Sequence, residues 1–513
     1  MISVSETGDH ETKAALWLGF AAMCVGMFMA VLDVQVVASS LTAIQTALHI
    51  PLERLGWIQT AYLMAEVVAI PLTGILTRAL SLRYLFAFAT LGFVAASWAC
   101  ALSTGYDVLI AARVVQGFFG GMLIPSVFTA VFVLIPERHH ILATTMAGVA
   151  ALLAPTLGPL LGGWLTQTQS WHWIFLINIL PGLIVALTVL LSLKVEATDV
   201  AVLKRFDPLT LLLFAVFLAG LQWLLNEGPG HHWRGGYIWG LILICAITCA
   251  WGIHRALSVS YPFVQLRRFG NRRFALGCAL SFVLGVGLYG SVYLLSLFLG
   301  LVRGHTPLVI GEILMVSGGA QLLTAPVAAW AETKADARLL TIFGFALFGL
   351  GLIANGFTTQ TSDFNQLFWP QAMRGLAMMF CLLPSTRCAL EHWQPHEVAE
   401  ASGLFNLMRT LGGAIGIALI DTILTERTDG HATHLVTRLQ AGDPGAARLV
   451  GLPVNLFHNH AMGAIDPVTR MMIEPMVRRA ALTQSCNEAW LALGALFLLA
   501  LLLVPSIVKP PAR

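Results

Sequence analysis

The sequence predicts an all-α membrane protein that crosses the bilayer fourteen times. Three observations carry that expectation. Hydrophobic residues make up 57% of the chain and charged residues 11%, whereas a water-soluble domain carries about a quarter charged. The apolar residues gather into stretches of about 20, the length that a helix rising about 1.5 Å per residue needs to cross a bilayer core. Lys and Arg alternate between successive connections, as they do when short cytoplasmic loops hold most of them.

Taken in order, the spans are residues 16–38, 55–77, 82–102, 106–135, 141–165, 173–193, 209–225, 237–257, 274–299, 309–331, 339–357, 368–390, 402–425 and 490–507. The polar start up to Lys13 enters the first of them without a small-residue cleavage site, so that span is expected to stay on the chain. With the N-terminus inside, the inner segments hold Lys13, Arg78, Arg83, Arg138, Lys194, Lys204, Arg205, Arg255, Arg267, Arg268, Arg272, Arg273, Lys334, Arg338, Arg387, Lys509 and Arg513. The short outer loops then hold only Arg54, Arg234 and Arg303. A miscount of one helix would scramble this pattern, so both termini are expected in the cytoplasm. Residues 426–487 form a longer outer segment, with turn signals at Asp443-Pro444, Leu452-Pro453 and Asp466-Pro467. Within it Arg470, Met471, Met472, Met476, Arg478 and Arg479 suggest a short amphipathic helix that caps the outer mouth or docks a partner.

Several function classes fall away. A net charge of +3, scattered along the chain, does not make the basic face that nucleic acid requires. The eight cysteines form no CxxC or His-flanked spacing, so neither a disulfide framework nor a zinc site is indicated. A Walker sequence is missing, which argues against an ATP-driven pump in one chain. Gly285-Val286-Gly287-Leu288-Tyr289-Gly290 matches a dinucleotide fingerprint literally but lies in a span with no preceding strand, and reads as helix packing. Glu391, His392, His396, Glu397 and Glu400 cluster in an inner loop at spacings that fit no metalloenzyme, and the pairs His231/His232 and His458/His460 fit none either. No metal, cofactor or catalytic group is expected.

Ionisable side chains inside a span cost several kcal/mol unless paired or hydrated, so each is a candidate for function. They are Asp33, Glu66, Arg113, Glu312, Arg374, Arg409 and Asp421. Counted from the outer face, Asp33 in span 1 and Arg113 in span 4 both fall roughly 10 Å deep and could meet. An aspartate balanced between a buried site and a nearby guanidinium can exchange protons, which a proton-coupled transporter needs; the alternative is a static pair that fixes helix registry. Glu66 falls near mid-bilayer, where it could take a proton or a cationic substrate. Asp421 and Glu312 lie within two turns of the outer face, within reach of headgroup water. Asn406, Arg409, Gly413 and Gly416 share one face of span 13, where small residues permit close approach and the arginine serves gating, coupling or structure.

Span 5 contains Ala154-Pro155-Thr156-Leu157-Gly158-Pro159-Leu160-Leu161-Gly162-Gly163, whose prolines and glycines mark a kink or a close contact. Gly158-Pro159-x-x-Gly162-Gly163 resembles the antiporter motif of the major facilitator superfamily. Leu109-x-x-x-Arg113-x-x-Gln116-Gly117 looks like that family's span 4 motif, and Leu32-Asp33 is similar to a motif of its fourteen-helix drug:proton antiporters, the EmrB and QacA type. The stretch 171–178, Trp369-Pro370-Gln371 and the Asn406/Arg409 face also resemble EmrB-like exporters. Departures are present: Arg78 stands where the loop motif has an acid, Ala154 replaces the first glycine of the antiporter motif, and Gln35, Ala38 and Thr42 replace the usual Thr, Asn and Pro.

The resemblance implies a major facilitator fold with a six-helix bundle at 1–195, two inserted helices at 196–260 and a second bundle at 261–513, the outer segment falling at about 427–487. It implies proton-coupled export of hydrophobic drugs, toxic weak acids or lipophilic cations across a bacterial inner membrane, or else export of one metabolite, siderophore or fatty acid. Asp33, Arg113 and Glu66 would couple protons, and Gln116, Arg374, Asn406 and Arg409 would line or gate the substrate cavity. An EmrA-type periplasmic adaptor and a TolC-type outer-membrane channel would be partners. The internal echo of Arg113 to Gly117 at Gln371 to Gly375 is consistent with duplicated bundles.

Overall fold

The computed structural model describes residues 5–193, 207–259 except 232, 266–457 except 391, 392 and 394, and 467–506. The side chains of Lys13, Arg78, Lys194, Lys204, Arg205, His232, Glu391, His392, His396, Glu397, Glu400, His458, His460, Arg470, Lys509 and Arg513 lie outside the described residues. Lipid offers the backbone no hydrogen bonds, so each apolar stretch closes its own as a helix. In chain order these are α1 Ser5–Leu48, α2 Trp57–Leu80, α3 Leu82–Ala101, α4 Tyr106–Val133, α5 His140–Thr168, α6 Ile179–Ser192, α7 Pro208–Gly230, α8 Gly236–Ser258, α9 Arg272–Leu297, α10 Pro307–Lys334, α11 Ala337–Asn355, α12 Phe364–Leu390, α13 Pro395–Gln440 and α14 Pro467–Ala500.

Among the described residues, thirteen spans are apolar enough throughout to cross a membrane on composition. The fourteenth is α12, 27 residues long, where Asn365, Gln366, Gln371, Arg374 and Arg387 dilute the hydropathy. It packs against α9, α10 and α11, which shelter Gln371 and Arg374 from lipid.

Two six-helix bundles, α1–α6 and α9–α14, repeat one packing scheme. α1 lies on α4, α5 and α6 as α9 lies on α12, α13 and α14; α2 lies on α4 as α10 on α12; and α3 on α4 and α6 as α11 on α12 and α14. The bundles meet along two seams, α5 with α10 and α2 with α13, which exchange under the same correspondence. α9 is the most enclosed span, 78% of its window buried. The literal dinucleotide match lies within it, and Gly285 there sits so close to the Arg409 carbonyl of α13 that a Cβ would lie 1.9 Å from the oxygen. The inserted α7 and α8 pair with each other, and α7 rests on α2 and α13. Asp207 at the start of α7 accepts from Arg255 Nε and Nη2 at 2.7 and 3.0 Å.

α5 runs as one helix through Pro155 and Pro159, and of the two readings of its prolines and glycines the structure shows the close contact. Two expectations are corrected. The last span is the end of a 34-residue helix starting at Pro467, so 470–479 are its first turns and no separate amphipathic helix exists. Asp421 is buried at 3% exposure and accepts from Tyr293 Oη at 2.5 Å, so it does not reach headgroup water; Glu312 does stand exposed.

The outer segment is therefore a projection of α13 and α14 beyond the bundles, joined by a short helix Pro444–Val450. It has a core of its own, including Leu435, Leu439, Ala447, Val450, Val477 and Ala481. Asp443 caps the short helix by accepting from Gly445 N at 2.7 Å, and Gly451 ends it at φ +86°. That cap hydrogen bond, with Arg438 beside it, holds the Asp443 carboxyl below the usual range.

Asp363, in the loop before α12, accepts from Arg303 Nη2 at 2.8 Å and meets His305 Nε2 at 3.0 Å. The Arg303 hydrogen bond holds its carboxyl below the ordinary value. A depressed acid contributes stability above its unfolded pKa and loses it as pH falls through the folded one. Asp363→Asn should therefore cost under about 1 kcal/mol near neutrality, as partly exposed pairs do. The difference from wild type in thermal unfolding should vanish in acid; an undiminished difference at pH about 3 would rule the pair out as its source.

Candidate functional site

A buried polar cluster in the first bundle gathers four elements around Asp33. Its carboxylate is 0% exposed and accepts from Arg113 Nη1 on α4, from Gln116 Nε2 one turn on at 2.8 Å, and from Asn178 Nδ2 at 2.9 Å. Arg113 is equally buried. It donates from Nη1 to Gln116 Oε1 at 2.6 Å and from Nε to the Ile58 carbonyl at 3.0 Å, and it lies 4.5 Å from the Tyr62 ring centroid. Gln116 also donates to Ser97 Oγ on α3 at 2.8 Å. A buried ion pair gains when its remaining hydrogen-bonding capacity is met; Gln116 and Asn178 meet that of the acid, while Arg113 Nη2 has no acceptor in the protein.

The pairing of Asp33 with Arg113 is where equal depth places it. Asn178, Ser97 and Tyr62 are participants that sequence reading missed. The signal available for Asn178 was a lone amide at the entry of an apolar span.

Glu66, one turn beyond Tyr62 on α2, is 4% exposed and packs on Gly121 of α4, where a Cβ would lie 2.8 Å from its Cα. Arg409 Nη2 donates to Asn406 Oδ1 at 2.6 Å. Glu66 and Arg409 stand on the two helices of the α2–α13 seam, while Gly413 and Gly416 seat α13 on Tyr289 and Val286 of α9.

The span 5 motif sits where three helices converge. A Cβ at Gly158 would lie 2.4 Å from Gln35 Cβ, at Gly162 2.4 Å from the Val36 carbonyl oxygen, and at Gly163 2.2 Å from the Pro307 carbonyl oxygen. Gly158 and Gly162 therefore press α5 on α1, and Gly163 presses it on α10. Further along that seam Gly311 meets the Pro159 backbone, and Thr156 Oγ1 donates to the Gly318 carbonyl at 3.1 Å. Ala154 is fully buried. Gly148, nearer the start of α5, faces no neighbouring atom within 4 Å. At the tight end the other seam is also closed, with Asp421 against Gly56.

Between the bundles lies a narrow cleft, about 20 Å³ of which is open to a water-sized molecule, lined by Gln35, Pro155, Pro159, Leu288, Val292, Leu314, Ser317, Gly318, Gln321, Phe348, Arg374, Gly375 and Met378. The structure thus brings Arg374 and the motif prolines to one cavity, while Asp33 and Arg113 stand just behind it, two residues from Gln35. Among the described residues no group of three or more His, Cys, Asp or Glu could hold a metal ion.

The major facilitator superfamily model matches residues 23–417. The chain is 38% identical over 420 residues to the colistin resistance protein EmrB of Acinetobacter baumannii, covering 82% of each. It is 28% identical over 492 residues to the multidrug export protein EmrB of Escherichia coli K12, covering 96% of this chain and 94% of that one. In structure it resembles a bacterial homologue of the human lysosomal transporter Spinster, in an inward-facing and unoccupied conformation. There the TM-score is 0.61 at 13% identity, with 98% of this chain and 99% of that one covered.

Proposed function

The chain belongs to the major facilitator superfamily, and from that membership we propose that it exports hydrophobic small molecules in exchange for protons, with Asp33 as the coupling carboxylate. The observation that carries the reading is an acid at 0% exposure, the most buried acid among the described residues, whose donors come from α4 and from the α6 entry. A protonated Asp33 holds Arg113, Gln116 and Asn178 less strongly than an ionised one, because charge-assisted hydrogen bonds are about twice as strong as neutral ones. α1 is then freer to shift against α4 and α6. It carries α5 with it through Gly158 and Gly162, and α5 forms the seam with α10 through Gly163. Proton binding is in this way linked to whether that seam is closed. Glu66 and Arg409 act at the second seam, where their attraction across the bundles favours closure. Arg374 positions substrate in the cavity, while Gln116 holds Arg113 and Asn406 holds Arg409.

The protein is a multi-pass membrane transporter. We place it in a bacterial inner membrane with both termini in the cytoplasm, on the Lys and Arg alternation, so that the tight ends of the two seams face outward. Residues 1–195, 196–260 and 261–513 then form first bundle, inserted pair and second bundle. The projection at about 427–487 is the surface offered to a periplasmic adaptor that leads to an outer-membrane channel.

Reconstitution into proteoliposomes under an imposed pH gradient tests the core of this reading. Adding lipophilic cations and weak acids in parallel should evoke proton movement with at least one class. If no compound in either class moves protons through a correctly folded sample, proton exchange is wrong and a uniporter is the better description.

A further inference from the structure

The two bundles treat one buried arginine differently. On α4 the turn Arg113, Gln116, Gly117 packs its glycine on the Tyr62 backbone of α2. On α12 the turn Gln371, Arg374, Gly375 packs its glycine on the Ser317 backbone of α10, the counterpart of α2, with arginine and glutamine in exchanged order. Each arginine donates to the glutamine of its own turn.

Their other partners diverge. Arg113 holds the Asp33 carboxylate of α1. Arg374 Nη2 reaches only Ser291 Oγ on α9, the counterpart of α1, and a serine hydroxyl brings no charge. The rings of Phe348 and Trp490 flank the guanidinium at 5.7 and 5.8 Å. No carboxylate among the described residues pairs with it. Its Nε has no acceptor within the protein, nor has Gln371 Nε2. At 3% exposure this is a buried cation without its own counter-charge, an arrangement that is unfavourable unless an anion completes it, since arginine stays protonated.

Arg374 also lines the cavity, beside the apolar side chains of Leu288, Val292, Leu314 and Met378. We propose that Arg374 is an anion-binding residue of the substrate site, and that the compounds this protein takes best are amphipathic anions: a carboxylate on Arg374, an apolar body along those four side chains. The inference rests on the export reading in taking this cavity as the substrate's.

The test measures binding of decanoate and of decyltrimethylammonium, equal tails with opposite heads, by calorimetry on the full chain in phosphatidylcholine nanodiscs, with empty discs subtracted. Wild type should bind decanoate more tightly than the cation. Arg374→Gln should weaken decanoate by roughly 10- to 100-fold, the range for a hydrogen bond to a charged group, while the cation is unaffected. Ser291→Asp provides the second arm, because an internal carboxylate should occupy Arg374 as Asp33 occupies Arg113. It should weaken decanoate similarly in a protein that unfolds no earlier than wild type. Unchanged decanoate affinity in both variants overturns the proposal. So does loss of the wild-type signal when phosphatidylglycerol is added to the discs, which would assign the site to lipid. If decanoate binds through Arg374 yet evokes no proton movement in liposomes, the export reading fails and this one stands. If a cation is exchanged for protons while decanoate neither binds nor competes, the reverse holds.

Discussion

Asp33→Asn should bring substrate-driven proton movement to background and lower stability by roughly 3–5 kcal/mol, the range for removing one member of a buried ion pair. The loss of stability follows from Arg113, which at 0% exposure would keep its charge without a counter-charge. The loss of transport alone would not distinguish a proton carrier from a structural pair, so the informative variant is the double one. Asp33→Asn with Arg113→Gln removes both charges and leaves amides able to hydrogen bond with Gln116 and Asn178. It should recover most of the thermal stability and none of the proton movement. Recovery of both would mean that the pair serves only to fix α1 against α4.

Gly163→Ala should release the closed end of the α5–α10 seam. The added Cβ would lie 2.2 Å from the Pro307 carbonyl oxygen and 2.8 Å from Leu308 Cα, both backbone atoms that no rotamer change can move aside. Overpacking of this kind costs about 1–3 kcal/mol, and it applies only to conformations in which the seam is closed. The equilibrium should therefore move by roughly 5- to 150-fold toward conformations open at that end. A cysteine introduced at Leu314, on the cavity wall, reports this through faster labelling by an impermeant maleimide from outside. Gly148→Ala is the matched control, since nothing lies within 4 Å of its Cβ position on the same helix. Equal labelling in both variants would remove the seam from the gating scheme.

The spans were legible in the sequence because lipid simplifies the reading: length and hydropathy together mark each crossing, while the sidedness of Lys and Arg carries only the proposed orientation. The meeting of Asp33 with Arg113 was legible too, from depth alone, since two opposite charges at one level of a small bundle have few other ways to be tolerated. The remainder depends on which faces of neighbouring helices meet, and one-dimensional patterns do not encode that. Asp421 was misread as near water because depth was counted from a presumed surface. In fact α13 continues well past it and Tyr293 covers it. The first turns of α14 look amphipathic because one side packs on the α13 projection, while Met471 and Met472 remain 75% and 74% exposed. Arg374 was visible as an intramembrane charge. That its partner on α9 is a neutral serine could only emerge once α12 and α9 were side by side.

α13 is a single 46-residue helix from Pro395 to Gln440, roughly 70 Å of uninterrupted rod. Its middle is half of the α2–α13 seam, and its far end is half of the outer projection. A rod of that kind is a lever. Tilting its middle swings its tip, and gripping its tip resists the tilt. Any protein that clamps the projection from outside therefore adds a mechanical load to the transport cycle, and the speed of turnover becomes a property of the assembly as well as of the chain.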